Sequence, residues 1–150
     1  MKTISGIEGY KALVGELLGE SDWLEVDQDR INKFAAATGD HQWIHVDTER
    51  ARQGPFGTTI AHGFLTLSLI PALTSGLLSI EGVRMGINYG LNRVRFPSPV
   101  KVGSRVRASV RNLSVEDVQG GIQVVNEVTV AIEGEAKPAC VAETVTRLYA

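Results

Sequence analysis

The sequence predicts an α+β fold in which an antiparallel β-sheet wraps around a long central α-helix. Two observations carry that expectation. Gly63 to Ile80 runs for 18 residues without one charged side chain, and a helix apolar nearly all round is one enclosed by protein. From Val83 onward the apolar period becomes two, over Arg84 to Phe96, Ser104 to Val115, Ile122 to Ile132 and Pro138 to Tyr149. Between them stand Pro97-Ser98-Pro99, Glu116 to Gly121 and Glu133-Gly134-Glu135, all turn-formers, so the segments read as successive strands of a meander.

The elements upstream follow from spacing and caps. Ile7, Tyr10, Leu13, Val14 and Leu17 recur three and four apart, which predicts a short amphipathic helix over Gly6 to Leu18, ended near Gly19. Trp23 to Val26 reads as a brief strand. Asp27 is an N-cap candidate for a second helix with Ile31, Phe34 and Ala35 on its apolar stripe and Gly39 as its stop. Asp47 or Thr48 caps a helical turn through Ala51, and Gln53 to Gly57 is a turn cluster. Within the apolar run, Pro71 kinks or restarts the helix, because an interior proline removes a backbone donor and clashes with the preceding turn. That run approaches the length of a membrane span, but Pro71 and the hydroxyls of Thr66, Ser68, Thr74 and Ser75 favour a helix buried in protein. No internal repeat or low-complexity tract is present.

Composition narrows the function classes. A chain of 150 residues suits one domain, large enough to bury a core without disulfide or metal staples. The formal net charge of -2 and pI near 5.9 argue against broad binding to the nucleic-acid backbone, which needs a basic surface. Cys140 is the single cysteine and there are three histidines, so an internal disulfide is impossible and a zinc-like Cys/His cluster is not expected. A reducing cytoplasm fits this usage. The first residues, MKTISGIEGYKALVGELLG, lack an uninterrupted apolar core and carry Glu8, Lys11 and Glu16, unlike a secretory signal.

The stretch Thr38 to Asp47, TGDHQWIHVD, is the part that folding requirements explain least well. Asp40 and His45 lie five residues apart, which on an ideal helix separates their side chains by about 140°. A loop beginning at Gly39 can bring them to one point, since glycine accepts the left-handed conformation that ends a helix. A carboxylate and an imidazole converging on one water can divide the removal and delivery of protons near neutral pH. In a purely structural reading Asp40 caps a turn and His45 is a satisfied core histidine.

The stretch Phe34 to Ala51, followed by Ile60-Ala61-His62-Gly63-Phe64, resembles the hydratase 2 motif of the MaoC-like, (R)-specific enoyl-CoA hydratases. The resemblance takes in the motif, the Ala-His-Gly helix start and the C-terminal strands. It implies a single hotdog domain over residues 1-150, in which Asp40 and His45 hold the catalytic water and the Gly63 amide meets the thioester carbonyl. Gln42-Trp43 stands where that family commonly has Asn-Pro; the amide is kept and the fixed φ of proline is lost.

Water addition to an enoyl thioester needs a base for the water, a proton for C2 and a site for charge on the carbonyl oxygen. Asp40 and His45 meet the first two needs. Gly63, at a helix start with unpaired amides, meets the third. His62 is a candidate substrate contact, His62 and His41 otherwise orient the loop or are structural, and Asp47 is a helix cap. Arg93 and Arg95, like Arg105 and Arg107, share one face of their strands and are candidates for the phosphates of coenzyme A. Trp43, Phe56 and the Pro71 region set the depth of the acyl pocket. The expected activity is hydration of a trans-2-enoyl-CoA to an (R)-3-hydroxyacyl-CoA in fatty acid metabolism, with no cofactor or metal and with the acyl-CoA as small-molecule partner. Hotdog relatives imply a homodimer; no nucleic acid or membrane is expected as partner. The alternatives are a hotdog acyl-CoA thioesterase and a noncatalytic acyl-CoA-binding partner subunit.

Overall fold

The computed structural model describes residues 1–150. Its main sheet is antiparallel, with strands β2 (Leu17–Glu20), β5 (Met85–Arg95), β6 (Arg105–Val118), β7 (Gly121–Ile132) and β8 (Cys140–Tyr149) in the order β2-β6-β7-β8-β5, and β3 (Leu24–Glu25) beside β6. β1 (Lys2–Ile4) and β4 (Leu78–Ile80) form a separate parallel pair. The helices are α1 (Gly6–Lys11), α2 (Gln28–Thr38), α3 (Trp43–Val46), α4 (Thr48–Arg52), α5 (Gly63–Ser68) and α6 (Ile70–Thr74).

The four long strands match the period-two segments. Along β6, Val106, Ala108, Val110 and Asn112 are buried while Arg105, Arg107 and Arg111 point outward, as alternation requires. The inner faces of β7 and β8 add Val124, Val128, Val130, Cys140 and Ala142, and the helical side adds Ile31, Leu65, Leu69 and Leu73, in one apolar cluster. A buried aliphatic side chain of this kind is worth roughly 1.5 to 3 kcal/mol relative to leaving it in water. The order is not a simple meander, because β5 lies beside β8 at one edge rather than beside β6.

Two helix expectations are corrected. The helix expected over Gly6 to Leu18 stops at Lys11, and Leu17-Leu18 enters β2, where pairing with β6 buries Leu18. A six-residue helix is too short to hold itself together, so sheet pairing prevails over the helical spacing. The run from Gly63 is helical only to Thr74, broken at Leu69 into α5 and α6, and its tail becomes β4. Pro71 sits in the first turn of α6, where its missing donor costs nothing. It restarts the helix, as expected.

Cys140 is fully buried and its thiol pKa is pushed up to about 11 by burial. Because the thiolate is the reactive form, the native protein is expected to resist iodoacetamide at neutral pH and to take up one equivalent after unfolding in guanidinium. Mass spectrometry checks this; rapid alkylation of the native protein would contradict the packing.

Candidate active site

The site begins at the end of α2. Asp27 caps that helix by accepting a hydrogen bond from the Arg30 amide, and Gly39 ends it with φ 80°, a left-handed conformation that glycine adopts without steric cost. The chain then turns through Asp40 and His41 into α3, a single helical turn within the expected loop, and Asp47 caps α4 through the Arg50 amide. His45 is therefore carried on α3 rather than on irregular backbone.

A carboxylate oxygen of Asp40 and one ring nitrogen each from His45 and His62 lie within 4.8 Å of one another. His45 is buried, and its Nδ1 is 2.7 Å from the Ile60 carbonyl oxygen. A carbonyl can only accept, so Nδ1 carries the hydrogen and Nε2 of the neutral ring keeps a free lone pair. His62 is buried beneath it, the two rings stacked with centroids 3.8 Å apart and planes 22° apart. His62 Nε2 donates to the Asp40 carbonyl at 3.0 Å, and its Nδ1 has no partner. Phe34 also packs against His62, centroids 4.8 Å apart and planes tilted by 55°. Each of the three can offer one atom to a small molecule or ion between them.

Electrostatics favour the uncharged form of His45. Its pKa is lowered, first by burial and further by the neighbouring His62, against the raising effects of the Ile60 carbonyl and Asp40. Burial penalises the imidazolium because a charge loses its hydration.

Three residues silent in the sequence complete the frame. Gln28 donates to the His45 carbonyl at 2.8 Å and accepts from the Thr59 hydroxyl at 2.5 Å, tying α3 to α2 and to the strand-like approach to His62. Phe96 lies on Gly63, where an added Cβ would come within 3.0 Å of its ring. Long-range partners of this kind have no local spacing that would reveal them.

The other candidates are placed as follows. Gly63 starts α5, half-buried, and its amide donates to no protein acceptor. His62 lies under His45 with its Nε2 3.0 Å from the Asp40 carbonyl oxygen, while His41 is exposed. Trp43 is turned onto Gly54 and under the Arg50 guanidinium, 4.3 Å from the ring centroid. Phe56 is half-buried in the turn after α4. A cavity of about 950 Å³ lies between α5–α6 and the sheet, and of the three expected depth-setting positions only Pro71 lines it; Trp43 and Phe56 do not. The reason is local: the α3–α4 turn supplies Trp43 with its own packing partners. Arg93 and Arg95 are exposed at the end of β5, flanking the inward Val94. Arg105 and Arg107 are engaged by Glu133 and Glu20 and stack on Trp23.

A carboxylate and an imidazole side by side on a hotdog fold, next to a helix start whose first amide is unpaired, form an arrangement able to exchange protons with one small molecule. The chain belongs to the family of the MaoC like domain, whose model matches residues 10–134. It is 55% identical over 151 residues, covering 100% of both chains, to the 3-hydroxyacyl-thioester dehydratase Z of Mycobacterium tuberculosis. It is 54% identical over 137 residues to nodulation protein N of Rhizobium leguminosarum, covering 89% of this chain and 84% of that one. Among solved structures, the (R)-hydratase of A. caviae involved in PHA biosynthesis superposes with a TM-score of 0.74 at 25% identity, over 90% of this chain and 96% of that one. The protein is thus a dehydratase or hydratase of the MaoC-like type.

Proposed function

We propose that the protein is an (R)-specific enoyl-CoA hydratase, a single cytoplasmic domain that reversibly adds water to a trans-2-enoyl-CoA without a cofactor. The observation that carries this reading is His45, its Nδ1 bound to the Ile60 carbonyl so that Nε2 keeps its lone pair, with a ring nitrogen within 4.8 Å of an Asp40 carboxylate oxygen. A water between them donates one hydrogen to each and turns its oxygen toward C3. Asp40 accepts the proton as the C–O bond forms. The pair passes a proton to C2, so that Asp40 ends ionised and His45 neutral, as they began. Charge growing on the thioester oxygen is met by the Gly63 amide; loss of one such donor in another enzyme cost roughly 3 to 4 kcal/mol. The names of the M. tuberculosis and A. caviae relatives describe the two directions of this reaction.

The acyl chain takes the cavity between α5–α6 and the sheet, whose lining includes Leu67 and Ser68, one turn beyond Gly63. Phe96 against Gly63 brings the end of β5, with Arg93 and Arg95, to the mouth of the site, where the coenzyme A phosphates would bind. β5 is also an unpaired edge exposing Met85, Ile87, Tyr89 and Leu91, and such an edge invites a second copy. The working unit is a homodimer.

Absorbance loss with enoyl-CoA substrates from four to about sixteen carbons, followed by chiral analysis of the product, tests reaction, stereochemistry and length together. Formation of (R)-3-hydroxyacyl-CoA is expected; thiol release from saturated acyl-CoA without hydration would replace this reading with a thioesterase.

The rate should also report the charge of His45. Because its pKa is lowered from 6.5, the acid limb of kcat/KM, where Nε2 is protonated, is expected to be centred below pH 6.5. Folding follows the same sign: the unfolded chain binds the proton more readily, so stability drops as pH falls through this window. A pH–rate profile whose acid limb is centred above 6.5 would contradict the assignment.

A further inference from the structure

The acyl cavity is crossed by a polar row that packing alone does not require. Core-facing positions of β7 alternate as Ile122, Val124, Asn126, Val128, Val130 and Ile132, with one amide among aliphatic side chains. A register shift after Asn112 sets Asn112 of β6 directly opposite Asn126, and Thr144 of β8 lies opposite Asn126 on its other side. Tyr10 of α1, buried, closes over this row. Tyr10, Asn126 and Thr144 all line the cavity.

Their hydrogen-bonding capacity is only partly used. Asn126 Oδ1 accepts a good bond from Asn112 Nδ2 at 2.8 Å. The contacts between the Tyr10 hydroxyl and the Asn126 amide are both 3.4 Å, and the Thr144 hydroxyl is 3.5 Å from the Asn126 carbonyl, at the weak end of the range. Buried polar groups are normally satisfied, and a plain alkyl chain offers them nothing. We propose that Tyr10, Asn126 and Thr144 form a polar subsite for an oxygen atom carried on the acyl chain, so that the preferred substrate is a hydroxylated or keto-substituted enoyl thioester. This rests on the cavity being the acyl site of the hydratase. The Asn126 Nδ2 and Tyr10 hydroxyl donate to a carbonyl or hydroxyl oxygen, and the Thr144 hydroxyl can accept from a substrate hydroxyl. Asn112, through its bond to Asn126 Oδ1, fixes the amide so that Nδ2 is the group presented.

The test uses the full chain and paired trans-2-enoyl-CoAs from six to about twelve carbons, each with and without a terminal hydroxyl. In the wild type the hydroxylated member is expected to have the higher kcat/KM at one length, by about tenfold, the effect of one buried hydrogen bond. The ratio within each pair should fall to near one in Asn126→Leu and in Tyr10→Phe. The second variant keeps its ring packing should the first fail to fold. Plain chains preferred at every length, or a ratio unchanged by Tyr10→Phe, would overturn the subsite. Calorimetric binding of the saturated hydroxylated and plain acyl-CoAs gives the same comparison without turnover. Loss of crotonyl-CoA hydration in the wild type with this binding preference intact would refute the hydratase reading and leave the subsite standing.

Discussion

Asp40→Asn is expected to lower kcat for crotonyl-CoA hydration by about 10² to 10⁴, the usual worth of a positioned acid–base group, with little change in folding. The reason for both halves lies in its surroundings. The side chain is exposed in the isolated chain, and the nearest bond to it is a long one, 3.4 Å, from the Gln42 amide. Asparagine can keep that acceptor and the volume. What asparagine cannot do is take a proton from water. The contact that anchors this part of the loop, His62 Nε2 to the Asp40 carbonyl, belongs to the backbone and survives. An unchanged urea midpoint beside a thousandfold slower kcat, about 4 kcal/mol of barrier, is the pattern expected. A variant with near wild-type turnover would remove Asp40 from the chemistry.

His45→Gln is expected to be as damaging to rate and also to lower stability. Glutamine can donate toward the Ile60 carbonyl with its amide nitrogen, but it replaces an aromatic ring stacked on His62 and presents an amide where a basic nitrogen stood. Stacked ring pairs contribute about 0.5 to 1.5 kcal/mol beyond the area they bury, so the thermal midpoint should drop measurably. In the proposed mechanism Asp40 and His45 hold one water jointly, and on that reading their losses should not multiply. The double variant should be little slower than the worse single one, as for groups that act as a unit. Multiplicative losses would mean that the two residues serve separate steps.

What could be read from the sequence was what is local. The cap at Asp27, the stop at Gly39, the cap at Asp47 and the restart at Pro71 each depend on one residue and its neighbours, and all four appear in the structure. The long strands were legible for a similar reason, since alternation repeats over ten or more residues. Leu17-Leu18 was misread because its partner, β6, lies about ninety residues away and decides between helix and strand. Asp40 and His45 could be paired from their types and spacing, and the structure brings their polar atoms within 4.8 Å of each other. The tautomer of His45 could not. It depends on the Ile60 carbonyl, and the loop carrying His45 on Gln28 and Thr59, contacts made only when distant segments meet. The direction of Trp43 was equally hidden, set by Gly54 leaving room for its ring.

Hydration of crotonyl-CoA in D₂O probes the proposed sharing of one water by Asp40 and His45 most directly. In the proposed mechanism Asp40 and His45, whose polar atoms lie within 4.8 Å of each other, act from one side of the double bond, so the deuteron at C2 and the oxygen at C3 should arrive on one face. Proton NMR of the product is predicted to show a single diastereomer, the (R)-3-hydroxy compound from syn addition. Anti addition, or a scrambled deuteron at C2, would contradict a water held and deprotonated by this pair.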